Sequence, residues 1–190
     1  MSIPFVIIVS GPPCTGKTTV ARFLARELRL PLFSKDGIKE LLYDTLGWGE
    51  REWSRKLGVA TMRVLFSLME TELAAGRSFI IESNFKPELA NEQMRDLQGR
   101  YGFEAFQVQC VTRGNVLLAR FKERAASGER HPGHVDHLSL ADVEADLLQG
   151  RYEPLDVGGT VFVLDTTDLS LVDYQLLLSE VRAAMAINPA

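Results

Sequence analysis

The segment Gly11-Pro12-Pro13-Cys14-Thr15-Gly16-Lys17-Thr18 spells G-x-x-x-x-G-K-[ST] and follows directly on the apolar run Phe5-Val6-Ile7-Ile8-Val9. This pattern demands a strand, a tight loop and a helix in immediate succession. The glycines let the backbone curl until successive N–H groups converge on an anion. Lys17 adds a mobile positive charge, and the Thr18 hydroxyl suits Mg2+. The stretch Gly11–Thr18, with Thr19 beside it, is therefore expected to grip the phosphates of a nucleoside triphosphate, with ATP and Mg2+ as the cofactors.

The rest of the chain repeats this strand-to-helix alternation. Short apolar runs at Phe5–Ser10, Leu30–Ser34, Phe79–Glu82, Phe103–Val111 and Val161–Leu164 read as strands. Helical patterns run over Lys17–Arg29, Asp36–Leu46, Arg51–Ala75, Pro87–Arg100, Asn115–Ala126, Leu140–Gln149 and Asp173–Ala186. Such alternation predicts a parallel sheet with helices on both faces, an α/β three-layer architecture. Within the third helix, Met62, Leu65, Phe66, Met69 and Leu73 form one apolar stripe suited to the core. The absence of repeats or a long Pro/Gly/Ser linker predicts one domain over residues 1–190. The polar, turn-rich stretch around Ser127–His134 reads as a lid spanning about 127–139.

Composition narrows the setting. The 190 residues are 46% apolar and 24% charged, with a net charge of −4 and no block of like charge, which does not advertise a surface for duplex nucleic acid or anionic membrane. A local basic groove stays open. Two distant cysteines, Cys14 and Cys110, imply no disulfide framework. No stretch reads as a membrane span or a secretory signal, so a soluble, unprocessed, cytoplasmic protein is expected.

In open parallel sheets ligands bind beyond the carboxyl ends of the strands, which singles out the residues just after each run. Glu82, closing the third run, is either a solvated strand-end carboxylate or a holder of metal-bound water. Asp36 follows the second run and opens a helix. It is either that helix's N-cap or a base that accepts the proton of an attacking hydroxyl. An acceptor that is already a phosphate needs no base and would be repelled, so a base reading favours an alcohol. Arg120 and Arg124 lie four apart on one helical face, with Arg130 in the lid, and three guanidinium groups there could close over phosphates. Arg113 lies near the same edge, where it could equally cap a carbonyl.

Other residues carry two readings each. His131, His134 and His137 fall within seven residues, but Pro132 and Gly133 break helical spacing, so contact with phosphate or substrate is preferred over a metal site. Trp48 and Trp53 flank a glycine turn and could line an acceptor pocket or bury against the long helix. Cys14 is either a filler of the loop or a thiol activated by the helix N-terminus.

Together these residues resemble the P-loop kinases related to nucleoside monophosphate kinases. Within them the chain is similar to the AAA-domain or zeta-toxin-like ATP-binding group, which includes chloramphenicol phosphotransferase and polynucleotide 5′-hydroxyl kinases. The resemblance rests on Gly11–Thr18, Asp36, Ile80-Ile81-Glu82-Ser83-Asn84-Phe85, Arg120-x-x-x-Arg124 and Asp165-Thr166, and spans nearly the whole chain. It implies the P-loop NTPase fold with a five-stranded parallel sheet in the order 2-3-1-4-5. It further implies an acceptor-activating carboxylate at Asp36, an adenine-side arginine at Arg120 and a phosphate-side arginine at Arg124. Asp165 and Thr166 would border the nucleotide, while Asn84 and the stretch Leu46–Trp53, Trp48 included, would touch the acceptor. Many relatives end the third strand in Asp, whereas this chain has Glu82, a longer arm toward the metal water. The activity implied is transfer of the γ-phosphate of ATP to a small-molecule hydroxyl. A polynucleotide 5′-hydroxyl kinase and a nucleotide-dependent switch ATPase are the alternatives.

Overall fold

The computed structural model describes residues 3–187. Strand β1 (Phe5–Ser10) is buried along its whole length, as its unbroken apolar run requires of a central strand. It lies between β3 (Phe79–Glu82) and β4 (Glu104–Val111), with β2 (Leu32–Ser34) and β5 (Thr160–Asp165) at the edges. All pairings are parallel, and the order is β2-β3-β1-β4-β5, as the resemblance implies.

Side chains alternate across β1, and the two faces build separate cores. Val6 and Ile8 pack with Leu65, Met69 and Leu73 of helix α3 (Arg51–Ala74) and with Met94 and Leu97 of α4 (Pro87–Tyr101). Ile7 and Val9 face the opposite layer, where Val20 and Leu24 of α1 (Lys17–Leu28) meet Leu177 and Val181 of α7 (Tyr174–Ile187). The expected stripe on α3 is borne out, with Met62 and Phe66 as its half-buried flanks. A third, smaller cluster joins Leu117 and Phe121 of α5 (Gly114–Ser127) to Leu147 of α6 (Asp136–Gln149).

Most boundaries fall within one residue of expectation, and the two larger differences have local reasons. β2 starts at Leu32 rather than Leu30, because Pro31 has no N–H to give the ladder, although its carbonyl still accepts from Ile80 N at 2.8 Å. Helix α6 begins at Asp136, four residues before the expected start at Leu140, so the connection from α5 is only residues 128–135. It holds a 3-10 turn, Pro132–His134. Helix α2 (Lys35–Leu46) completes the set. The parallel strands all point their carboxyl ends toward one edge, where the phosphate loop, Ser34, Glu82 and Thr112 converge.

Candidate active site

The phosphate loop owes its shape to two glycines. Gly11 has φ +150°, and a Cβ there would lie 2.4 Å from the Cys110 carbonyl oxygen, so the loop departs flush against β4. Gly16, at φ +79°, turns the chain into α1 one residue before Lys17. Inside the loop, the Pro12 carbonyl accepts from Thr15 Oγ1 at 3.0 Å and from Lys17 Nζ at 3.3 Å. Pro13 lines the neighbouring cleft. Cys14, at φ +67°, packs against the α5–α6 cluster, which matches the filler reading. Thr18 lines a cleft along the loop together with Lys17, Asp36, Arg120 and Arg124. Thr19 is exposed and does not line that cleft.

Beside the loop, Glu82 is 2% exposed. Its Oε2 accepts from Ser34 Oγ at 2.6 Å, and its Oε1 lies 4.0 Å from Lys17 Nζ. A buried carboxylate held this way is no solvated strand end. Its oxygen and the Thr18 hydroxyl are the hard donors that Mg2+ prefers.

Asp36 is not the cap of α2. Ser34 takes that place, its side chain accepting from Gly37 N, and Asp36 sits in the first turn. Its carboxylate pairs with Arg130 from the α5–α6 connection. Burial alone would raise its pKa, but Arg130, Lys35 and Lys17 outweigh burial and hold it well below the usual carboxylate range.

The expected lid is docked on α2. His134 Nε2 lies 2.9 Å from Glu40 Oε1, and His131 Nε2 lies 3.1 Å from Asp44 Oδ1. The Tyr43 ring stacks on His131 at 5.1 Å and meets His134 edge-on at 5.4 Å. Burial first, then Arg130, pushes the His134 pKa down to about 4, so the ring is neutral and donates from Nε2 to Glu40. The histidines thus hold the lid through α2 carboxylates, where contact with phosphate or substrate was expected. Among the described residues no three His, Cys, Asp or Glu side chains form a metal-binding group. The side chain of His137 lies outside the described residues.

Arg120 donates to the carbonyls of Thr166 at 3.0 Å and Thr167 at 2.9 Å, which ties α5 to the loop after β5. The Thr166 side chain is fully buried, its hydroxyl bonded to Thr112 Oγ1 at 2.6 Å and to the Val111 carbonyl at 3.0 Å. It supports the loop and presents no hydroxyl to a ligand. Asp165 is exposed and accepts from Thr167 N at 2.8 Å, a local turn contact. Among the described residues Arg113 caps no carbonyl; its backbone N–H donates to Thr167 Oγ1 at 3.1 Å. Arg124 lies over the Phe121 ring and lines both clefts. The two tryptophans are not buried against α3: Trp48 is 54% exposed beside His131, and Trp53 is 39% exposed, donating to the Gly47 carbonyl at 3.0 Å.

A second cleft opens on the far side of Asp36; Lys35 and the Leu46–Trp53 stretch that supplies Arg51 were singled out in the sequence, whereas Lys39 was not. Lys35 Nζ donates to Asn84 Oδ1 at 3.0 Å. Lys39 Nζ donates to Ser54 Oγ at 3.1 Å, whose other partner is the Tyr43 hydroxyl at 2.6 Å. Arg51, from α3, completes this wall. The signal available was spacing: Lys35 and Lys39 are four apart on one helical face with Asp36 beside them.

Known proteins share the fold that carries these residues. A family model described as AAA domain matches residues 6–147. A provisionally assigned kinase from Chloroflexus aurantiacus J-10-fl is 40% identical, covers 99% of each chain and superposes with a TM-score of 0.88. A sugar kinase from Janibacter sp. HTCC2649 is 20% identical over 98% of this chain and 96% of its own, with a TM-score of 0.57. APS kinase of Mycobacterium tuberculosis, solved with AMPPNP and APS, is 14% identical over 97% of this chain and 98% of its own, with a TM-score of 0.60. These two distant structures share the fold. No curated protein sequence matches the chain. The chain belongs to the AAA domain family and is a P-loop kinase of that group.

Proposed function

We propose that this protein transfers the γ-phosphate of ATP to a hydroxyl of a small molecule, with Asp36 at the point of transfer. The observation that carries the reading is that Asp36 lines both clefts, the one along the phosphate loop and the one beyond it. A group at that junction can face a nucleotide on one side and an acceptor on the other.

The roles follow from position. Backbone N–H groups of Gly11–Thr18 and the Lys17 ammonium hold the phosphates, and Arg124 and Arg130 neutralise charge on the transferring group. Thr18 and Glu82 are the residues that would hold Mg2+, directly or through water. The ion would supply charge neutralisation to the phosphates. Arg120 fixes the loop after β5 that borders the nucleotide, and Asn84 lines the acceptor side, whereas Trp48, expected there, lines a separate cleft with Arg130, His131 and Pro132. In the transfer, the acceptor oxygen forms its bond to γ-phosphorus as the bond from phosphorus to the bridging oxygen breaks and ADP departs. The hydroxyl proton passes to Asp36. A carboxylate held at low pKa is a weak base, which suits a loose transition state where the proton leaves late. Its firm negative charge orients the hydroxyl from the start. Arg130 occupies Asp36 in this structure, so transfer requires that pair to open, with the γ-phosphate as the competing anion.

The test is Mg2+-dependent ADP release from ATP across sugars, sugar acids, antibiotics, amino alcohols, nucleosides and 5′-hydroxyl oligonucleotides, with labelled γ-phosphate traced into product. Label in a small-molecule alcohol supports the reading. Slow hydrolysis that no acceptor stimulates would favour a nucleotide-dependent switch instead.

A further inference from the structure

The acceptor-side cleft is far more cationic than phosphate binding requires. Its lining includes Lys17, Lys35, Lys39, Arg51, Arg124 and Arg130 against the single carboxylate of Asp36. Lys17 and Arg124 also line the cleft along the phosphate loop, and Arg130 engages Asp36. Lys35, Lys39 and Arg51 line only the acceptor side. Arg51 is neutralised by Asp142 at 2.6 Å. The two lysines are not: among the described residues neither has a carboxylate within ion-pair distance, and their hydrogen-bond partners are the neutral Asn84 and Ser54. Lys39 is only 8% exposed. Asp36 favours both charges through space, but burial leads and lowers both lysine pKa values, so an anion making direct ion pairs with them would recover free energy.

We propose that the acceptor is a small anionic alcohol, whose carboxylate or phosphate sits on Lys35 and Lys39 while its hydroxyl meets Asp36. This deepens the kinase reading and rests on it. Lys39 is three residues from Asp36 and four from Lys35 on α2, and all three line one cleft, so a compact molecule spans both functions. A nucleic acid strand fits less well. Asp142 of α6 accepts from both Arg51 and Arg55 of α3, at 2.6 and 2.9 Å. These contacts roof the cleft where a polymer would have to run through.

The experiment is calorimetric titration of the full chain saturated with Mg–AMPPNP, which reserves the phosphate loop for the nucleotide. The probes are glycerate against glycerol, gluconate against glucose, ribose 5-phosphate against ribose, and a 5′-hydroxyl oligonucleotide. The anionic member of at least one pair binds at least tenfold more tightly than its neutral partner. Lys35→Gln and Lys39→Gln each weaken it by about tenfold or more while AMPPNP affinity stays at the wild-type level. Glycerate and gluconate against ribose 5-phosphate separate carboxylate from phosphate as the anion. Equal or absent binding within every pair, anion binding unchanged in both lysine variants, or binding of the oligonucleotide alone overturns the proposal. Failure to bind AMPPNP would instead sink the kinase reading, so the two failures are distinguishable.

Discussion

At the scale of single residues, charge and burial decide which groups can react. His134 is the clearest case for pH. Its folded pKa of about 4 lies below the ordinary histidine value of 6.5. Between those values the unfolded chain binds the proton more readily than the folded one, so stability rises with pH through that window. It is fully present above about 6.5 and is lost as pH falls toward 4. Arg130 and Lys39 oppose the proton on His134, and Asp36 and Glu40 favour it, but burial leads. Chemical denaturation at pH 4.5 and pH 7 is expected to show a smaller difference in His134→Gln than in the wild type. Asp36 was named by its place after the second strand, yet its partner Arg130 lies 94 residues away, and no spacing rule joins them. Lys39 was passed over, and Lys35 stood out only by its place after the second strand, because a net charge of −4 gives no hint of a local cationic wall. Charge balance is a property of the whole surface, whereas the cleft is a property of the fold.

Among the elements, the α5–α6 connection expected to act as a lid rests on a packing contact that leaves no room for a side chain. A Cβ at Gly133 would lie 2.6 Å from the Tyr43 ring, inside the stack that docks the lid on α2. Gly133→Ala must therefore push the 3-10 turn away from the helix. Amide exchange across residues 128–135 is expected to speed by about tenfold or more, with β1 and β4 unchanged. Unchanged exchange in the lid would contradict the docking described here. In the phosphate loop, Gly11→Ala faces both φ +150° and the Cys110 carbonyl at 2.4 Å. That variant is expected to lose nucleotide binding, measured by calorimetry with AMPPNP. The strands, the long helix α3 and the loop were legible because each is local: an apolar run, a three-and-four periodicity, a glycine pattern. The early start of α6 was not, since Asp136 and the residues after it read as part of a polar turn-rich stretch. Trp48 and Trp53 misled for a related reason, as aromatic composition suggests burial but does not say which neighbours exist.

For the whole molecule, two cores on opposite faces of one sheet make a rigid platform whose carboxyl edge gathers groups from β1, β2, β3 and α5. The alternation of elements predicted this layering, and the resemblance supplied the strand order that pattern alone could not rank. Ligand linkage follows directly. Mg–AMPPNP at about 100 times its dissociation constant is expected to stabilise the fold by about 2.7 kcal/mol, a shift of roughly 5–11 °C for a chain of this size. Lys17→Ala should abolish that shift in a thermal melt without altering the melt of the unliganded protein by a comparable amount. The central claim is tested most directly by measuring phosphoryl transfer and AMPPNP affinity side by side in wild type and Asp36→Ala, using the best acceptor from the panel. The account predicts a fall in transfer of about 10²-fold or more with nucleotide affinity near wild type. Transfer at the wild-type rate in Asp36→Ala would contradict it and leave Asp36 only the role of anchoring Arg130.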